Sequence, residues 1–282
     1  MGRLLNISIV LYKTPEDEWK PLVEELLQSE NVHKIYLIDN SPEDSEFRIQ
    51  KSGFRIQGSE VSYRHTGKNL GYGAANNIAM RETIYDEIPF HLVINSDIQV
   101  TAEAIDNLLD VMQSNDAIGQ LMPRVVGVNG ELQYLCKLLP TPIDLLRRIL
   151  LGKRGKESKA NQRFELRHFD HSRPINAPYL SGCFMLLRTE ALLKTGLFDE
   201  RYFMYPEDID LTRRIHRNYL TLYYPSETIV HAHRQASYHS IRMLWIHAVN
   251  MICYFNKWGW IVDKERDAFN SLVLNTPDTE HA

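Results

Sequence analysis

The chain has no run of 18 apolar residues, and so no segment that reads as a membrane-spanning helix. Cysteine is scarce. Cys136, Cys183 and Cys253 lie far apart, form no CxxC pair and are odd in number. That argues against a disulfide framework and for buried thiols in a reducing compartment. Positive charge is not in surplus: the formal net charge is −4, which gives no argument for a nucleic-acid partner. The first residues lead directly into a strand, without an apolar h-region and a small-residue cleavage site. No signal peptide is expected. The expected location is cytoplasmic, with contact at the inner face of the plasma membrane left open. No internal repeat is present.

What remains is ample for one large α/β domain, or a domain with an appendage: 282 residues, 44% hydrophobic and 24% charged. Residues 7–12 are a β-rich run that stops before Thr14-Pro15. Glu16-Asp17-Glu18 then opens a helical pattern. A second apolar run, 35–38, ends at Asp39-Asn40-Ser41-Pro42. Strand, helix and strand in this order make the βαβ unit of a parallel sheet. Residues 61–64 read as a weaker strand, 74–84 as a helix, 91–95 as a strand and 101–114 as an amphipathic helix. The second half is less regular. It has a basic, polar stretch over 152–162, helices near 190–195 and 208–217, and a strand over 220–224. A long helical pattern follows over 238–256.

Several polar groups fall at strand ends, where open parallel sheets bind ligands. Asp39 there can accept from a base N–H or a ribose hydroxyl; the plainer reading is a turn-forming Asp before Pro42. The segment GKNLGYGAANN (67–77) matches neither GxGxxG nor a phosphate loop. Its glycines let Asn69 and Asn77 approach a base or sugar closely, or simply open a helix tightly. Asn95-Ser96-Asp97 reads as half a metal motif: Asp97 suits Mn²⁺ or Mg²⁺, and neutral Asn95 suits a ribose hydroxyl. The plainer role for Asp97 is a helix N-cap. Glu207 and Asp208 stand where a loop becomes a helix, and adjacent carboxylates push one pKa up, as a general base needs. Asp210 looks like an ordinary first-turn acid, with Arg213 and Arg214 as local partners. His231 and His233 follow a strand, and alternation lets only one of them reach a metal.

In order, these segments resemble those of bacterial family 2 glycosyltransferases, and most of all the rhamnosyltransferase-type members that build surface polysaccharides. The resemblance rests on ISIVLYKTP (7–15), YLIDNSP (36–42), GKNLGYGAANN (67–77), LVINSDI (92–98), YLSGCFMLLR (179–188), FDERYFMYPEDIDLTRRI (198–215) and IVHAHRQAS (229–237). It implies a GT-A fold: a Rossmann-like, mostly parallel sheet flanked by helices. The glycosyltransferase domain would cover 1–237, split into a nucleotide-binding half (1–115) and an acceptor half (116–237). A C-terminal helical extension would follow over 238–282.

Carried over by position, the resemblance implies that Asp39 binds the base of a dTDP- or UDP-sugar beside Tyr12 and Asn69. Asn95 lies near the ribose. Asp97 and His231 bind the divalent cation. Gly182 and Cys183 border the donor sugar, and Asp208 is the base of an inverting transfer to a saccharide hydroxyl. Asn95 departs from the Asp that many members have, which weakens the expected metal site. A lipid-linked acceptor is expected, because the basic stretch 145–159 and the Leu244, Trp245, Ile252, Phe255 stripe with Trp258 and Trp260 suit an anionic bilayer. A core-covering helix or a homodimer contact is the other reading of that stripe. Two rival functions stay open: a sugar-1-phosphate nucleotidyltransferase, and a non-catalytic nucleotide-sugar-binding scaffold. Against the first, Tyr12-Lys13-Thr14-Pro15 stands where a glycine-rich basic loop would be needed.

Overall fold

The computed structural model describes residues 3–43, 60–144, 146, 157–232 and 241–276. The first half runs β1 (Leu5–Leu11), α1 (Glu16–Leu26), β2 (Val32–Asp39), β3 (Glu60–His65), α2 (Tyr72–Tyr85), β4 (Phe90–Ile94), β5 (Ile98–Gln99), α3 (Ala102–Ser114) and β6 (Ile118–Val126). The second half continues with β7 (Cys136–Lys137), α4 (Lys159–Phe164), β8 (Ile175–Asn176), β9 (Tyr179–Leu180), β10 (Phe184–Arg188) and α5 (Thr189–Thr195). It closes with α6 (Glu207–His216), β11 (Leu220–His231), α7 (Ile241–Trp258) and α8 (Lys264–Asn275).

Strands of the main sheet lie in the order β3-β2-β1-β4-β10-β6-β11-β5, with β8 against β11. The β3-β2-β1-β4 run and the β6–β11 pair are parallel. Strand β10 runs antiparallel between β4 and β6 and joins the two parallel blocks. Helices cover both faces, so β4 and β10 are buried along their whole length and read as continuous apolar runs. Helix α1 buries Trp19, Leu22, Val23 and Leu26 at helical spacing, and its first turn is acidic. The side chain of Thr101 caps α3 by accepting from the Ala104 N–H. That cap removes the N-cap role from Asp97.

One polar chain crosses the core under α2. Ser8 Oγ donates to Asn76 Oδ1 (2.6 Å) and lies 3.0 Å from His91 Nε2, while Thr83 Oγ1 lies 2.7 Å from His91 Nδ1. Burial pushes His91 down to about 3, so the ring is neutral and serves as a two-ended hydrogen-bonding strut.

Helix α7 buries Met251, Tyr254 and Phe255 against Leu139, Tyr202 and Ile209. Phe255 therefore leaves the membrane-facing set expected from the sequence. Leu244, Trp245 and Ile252 on the same helix are exposed, as are Trp260, Ile261 and Val262 beyond it. The basic residues of 147–156 and His233 lie outside the described residues. Of the polar stretch 152–162, residues 159–162 belong to α4, whose Asn161 and Phe164 are buried.

Candidate active site

The first wall of the site is built by the ends of β1 and β2. Asp39 is buried. Its Oδ1 accepts from the Ser41 N–H (2.8 Å) and its Oδ2 from the Tyr63 hydroxyl (2.7 Å), which fixes the carboxylate plane. The turn-forming and recognition roles are thus compatible. Tyr12, at the end of β1, is half exposed. Asn69 is exposed and accepts from the Gly71 N–H (3.0 Å). Gly71 has φ +88°, and a Cβ there would lie 2.2 Å from Phe203 O, so no other residue fits. The glycine segment therefore serves close packing of α2 against the loop before α6.

Asn77 is a correction. Its amide donates to Phe198 O (2.9 Å) and Glu200 Oε1 (2.9 Å) and accepts from the Phe198 N–H (3.0 Å), at 1% exposure. With both ends of the amide committed in the interior, it clasps the 198–200 loop and has nothing left for a donor.

The second wall joins β4, β5 and β11. Strand β11 has an irregularity between Tyr224 and Thr228, after which Val230 and His231 pair with Gln99 and Ile98. The Ala232 N–H donates to Asp97 O (3.1 Å). His231 Nε2 consequently lies 3.3 Å from Asp97 Oδ1. Gln133 sets the ring: its Nε2 donates to His231 O (2.9 Å), and its Oε1 sits 3.0 Å from His231 Nδ1. Gln133 thus makes Nδ1 a donor and leaves Nε2 as the nitrogen that faces the carboxylate.

The third wall carries the carboxylates. Tyr205 has φ +95°, an unusual conformation for a residue with a side chain, just before α6 begins. Glu207 and Asp208 in the first turn are both buried. Asp208 Oδ2 accepts from the Gly182 N–H (2.8 Å), and its Oδ1 accepts from the Ile209 N–H (2.8 Å). Burial pushes Asp208 up to about 6, against those two N–H groups and the nearby Lys137 ammonium. Burial first, and Asp208 second, push Glu207 well above the carboxylate range. The Gly182–Cys183 step links the last two walls, because Cys183 O accepts from the Asn95 N–H (3.0 Å). Burial raises the Cys183 thiol to about 12, which leaves it inert at neutral pH.

A cleft of about 520 Å³ opens at Asp97, which lines it together with Asp17, Glu18, Glu25, Ser96 and Thr101 among others. Its carboxylates repel a diphosphate, and it includes none of Tyr12, Asp39, Asn69 or Asp208.

Residues 7–196 match the model of the family described as "Glycosyl transferase family 2". The chain belongs to that family. It is also 32% identical over 243 residues to the N-acetylglucosaminyl-diphospho-decaprenol L-rhamnosyltransferase of Mycobacterium tuberculosis, covering 82% of this chain and 76% of the relative. It is thus a rhamnosyltransferase-like glycosyltransferase, which sets aside the nucleotidyltransferase and scaffold readings. The fold is GT-A. Staphylococcus aureus TarS 1-349 in complex with UDP-GlcNAc superposes with TM-score 0.60 at 16% identity, over 96% of this chain and 72% of that one. GalNAc-T7 with UDP, GalNAc and Mn²⁺ superposes with TM-score 0.59 at 13% identity, over 81% of this chain but only 43% of that longer one.

The Asp97–His231 pair fits a divalent cation. Asp97 Oδ1 and His231 Nε2 face each other, and the far ring nitrogen donates to a fixed acceptor, as metal-bound histidines require. Among the described residues no third His, Cys, Asp or Glu joins them.

Sequence reasoning missed Gln133, Lys137 and Tyr72. Lys137 is buried, with Nζ 5.5 Å from the Tyr179 ring centroid, and the Tyr179 hydroxyl lies 3.5 Å from Asp208 Oδ2. Tyr72 touches both Asn95 and Gly182. Nothing local marks these residues; each acts across a long sequence separation.

Proposed function

We propose that this glycosyltransferase moves a sugar, with rhamnose the first candidate, from a dTDP- or UDP-sugar to a hydroxyl of a lipid-linked saccharide, inverting the anomeric carbon. The observation that carries the reading is the Gly182–Cys183 step, which holds Asn95 on one side and Asp208 on the other. A donor phosphate near Asp97 and an acceptor hydroxyl near Asp208 thereby meet in one site. Support for the sugar and the lipid comes from the mycobacterial relative, an N-acetylglucosaminyl-diphospho-decaprenol L-rhamnosyltransferase.

Asp39, Tyr12 and Asn69 hold the base, Asn95 the ribose, and Gly182 and Cys183 border the sugar. Asp97 and His231 would hold Mn²⁺ or Mg²⁺, which when bound neutralises the departing diphosphate. Lys137 adds positive charge beside the same space. Asp208 takes the acceptor proton as the acceptor oxygen bonds to the anomeric carbon, and the bond to the diphosphate breaks with its electron pair. Glu207, its pKa pushed up by burial and by Asp208, disfavours a second negative charge beside the base.

A thermal-shift screen of nucleotide sugars with Mn²⁺ tests the donor side, since a ligand that binds only the folded state raises the melting temperature. UDP- or dTDP-sugars should stabilise the protein more with Mn²⁺ than without. Asp97→Ala should remove the Mn²⁺-dependent part, and Lys137→Met should weaken the part common to all diphosphates. An unchanged Mn²⁺ response in Asp97→Ala would remove Asp97 from the cation site.

Among the described residues no helix is long and apolar enough to cross a membrane. The exposed Leu244, Trp245 and Ile252, with Trp260, Ile261 and Val262, instead suit a bilayer surface. Flotation with anionic liposomes at low salt should bring the protein to the top fraction, and Trp245→Ser with Ile261→Ser should leave it at the bottom. A wild-type chain that stays at the bottom counts against surface attachment.

A further inference from the structure

The Tyr72 hydroxyl lies 2.7 Å from Gly182 O and 2.9 Å from Asn95 Oδ1. A phenol has one proton, so it cannot satisfy two carbonyl oxygens at once. Burial, with Cys183, Glu207 and Asp208 nearby, raises Tyr72 well above its ordinary value, so the proton stays on the oxygen. A peptide carbonyl can only accept. An amide side chain can turn by half a rotation and offer its NH₂ instead. The consistent arrangement has Tyr72 donating to Gly182 O while the Asn95 NH₂ donates to the Tyr72 oxygen. The Asn95 carbonyl oxygen is then turned away from Tyr72.

The ring itself is well held. The Tyr72 N–H donates to Phe203 O (3.0 Å), and the ring meets Phe198 edge-on at 6.4 Å. Gly182, in turn, donates its N–H to Asp208, and a Cβ on it would lie 3.1 Å from Asp208 Cβ.

We propose that Tyr72 is a positioning residue whose hydroxyl locks Gly182, and through it Asp208, while orienting the Asn95 amide with its carbonyl oxygen toward the donor. The proposal rests on the reading of Asp208 as the base. It makes Asn95 a required neutral residue and not a decayed acid. An aspartate there has no proton to give; it would accept the Tyr72 hydrogen bond in place of Gly182 and leave the Gly182 carbonyl without a donor.

The first test needs no activity. Asp208 is faced by Glu207 from α6, Lys137 from β7, Tyr179 from β9, and Tyr72 and Cys183. Tyr72→Phe leaves the other groups that face Asp208 in place and frees Gly182 and the Asn95 amide. Carboxyl ¹³C NMR should then show Asp208 titrating at higher pH than in the wild-type chain, because its N–H donor has loosened. An unchanged titration overturns the clamp. In turnover, Tyr72→Phe should lower kcat about 10- to 100-fold with little change in donor KM. Asn95→Asp should lower kcat in the wild-type background and have at least a severalfold smaller effect in Tyr72→Phe. A gain in kcat from Asn95→Asp, or an equal factor in both backgrounds, overturns the orientation assigned to Asn95. Failure of the wild-type chain to transfer any sugar would strike the functional reading alone; the NMR titration would still judge the clamp.

Discussion

Asp208→Asn should lower kcat by about 10²- to 10⁴-fold, the range expected when a general base is removed, while donor-induced thermal stabilisation persists. The amide has nearly the shape of the carboxylate. Its single carbonyl oxygen can accept from only one of the Gly182 and Ile209 N–H groups, with the NH₂ turned toward the other, and it cannot take a proton from the acceptor. The wild-type rate should fall as pH drops through about 6, where Asp208 becomes protonated. Stability should move the other way. A carboxyl raised by burial binds its proton more tightly folded than unfolded, so its contribution is full below the unfolded value of about 3.9 and is lost as pH rises through the folded one. The stability of Asp208→Asn relative to the wild type should therefore rise between pH 4 and pH 8, while the N–H group left facing its NH₂ costs both ends of that range alike. Near-wild-type turnover in this variant would remove Asp208 from the chemistry.

The second large effect is on folding. Arg213 is 1% exposed and makes two bonds to Asp263 (2.7 and 2.6 Å) and one to Glu265 (2.9 Å), with its guanidinium 4.1 Å from the Trp258 ring centroid. Arg213→Ala strands a buried Asp263 and removes the stacking surface. The expected loss is about 3–5 kcal/mol, read as a fall of about 2–4 °C in melting temperature per kcal/mol. Replacing Arg213 and Asp263 together by apolar residues should recover much of that loss, since the cost of breaking a buried pair lies largely in the partner left behind. A shift below about 2 °C for Arg213→Ala would mean that the C-terminal helices do not brace α6. The bracing also bears on catalysis. Asp210, two residues after Asp208, accepts from Arg214 (2.8 Å), Trp258 (2.8 Å) and Lys257 (2.6 Å).

This network marks where sequence reading stopped. Arg214 pairs with Asp210 at i,i+4 as periodicity expects. Arg213 does not: its partners lie 50 and 52 residues away. Helix α8 falls within the expected helical extension, but strand β6 went unread, because its Pro123 argues against a strand. Strand β11 was expected only to Tyr224, because Pro225-Ser226-Glu227 looks like a turn. In the structure the strand resumes beyond the irregularity, and that continuation delivers His231 to Asp97.

By itself, the sequence determined the βαβ alternation, the polar groups at strand ends and the two acidic motifs. These are local properties: apolar periodicity, turn chemistry and residue type act over a few positions. Only the tertiary structure decided which of those groups meet. It withdrew Asn77 into the interior, oriented the His231 ring through Gln133, and placed Lys137 and Tyr72 beside Asp208. Those outcomes depend on burial and on partners tens of residues apart, and the identity of a donor's acceptor is a fact of packing that no window of sequence contains.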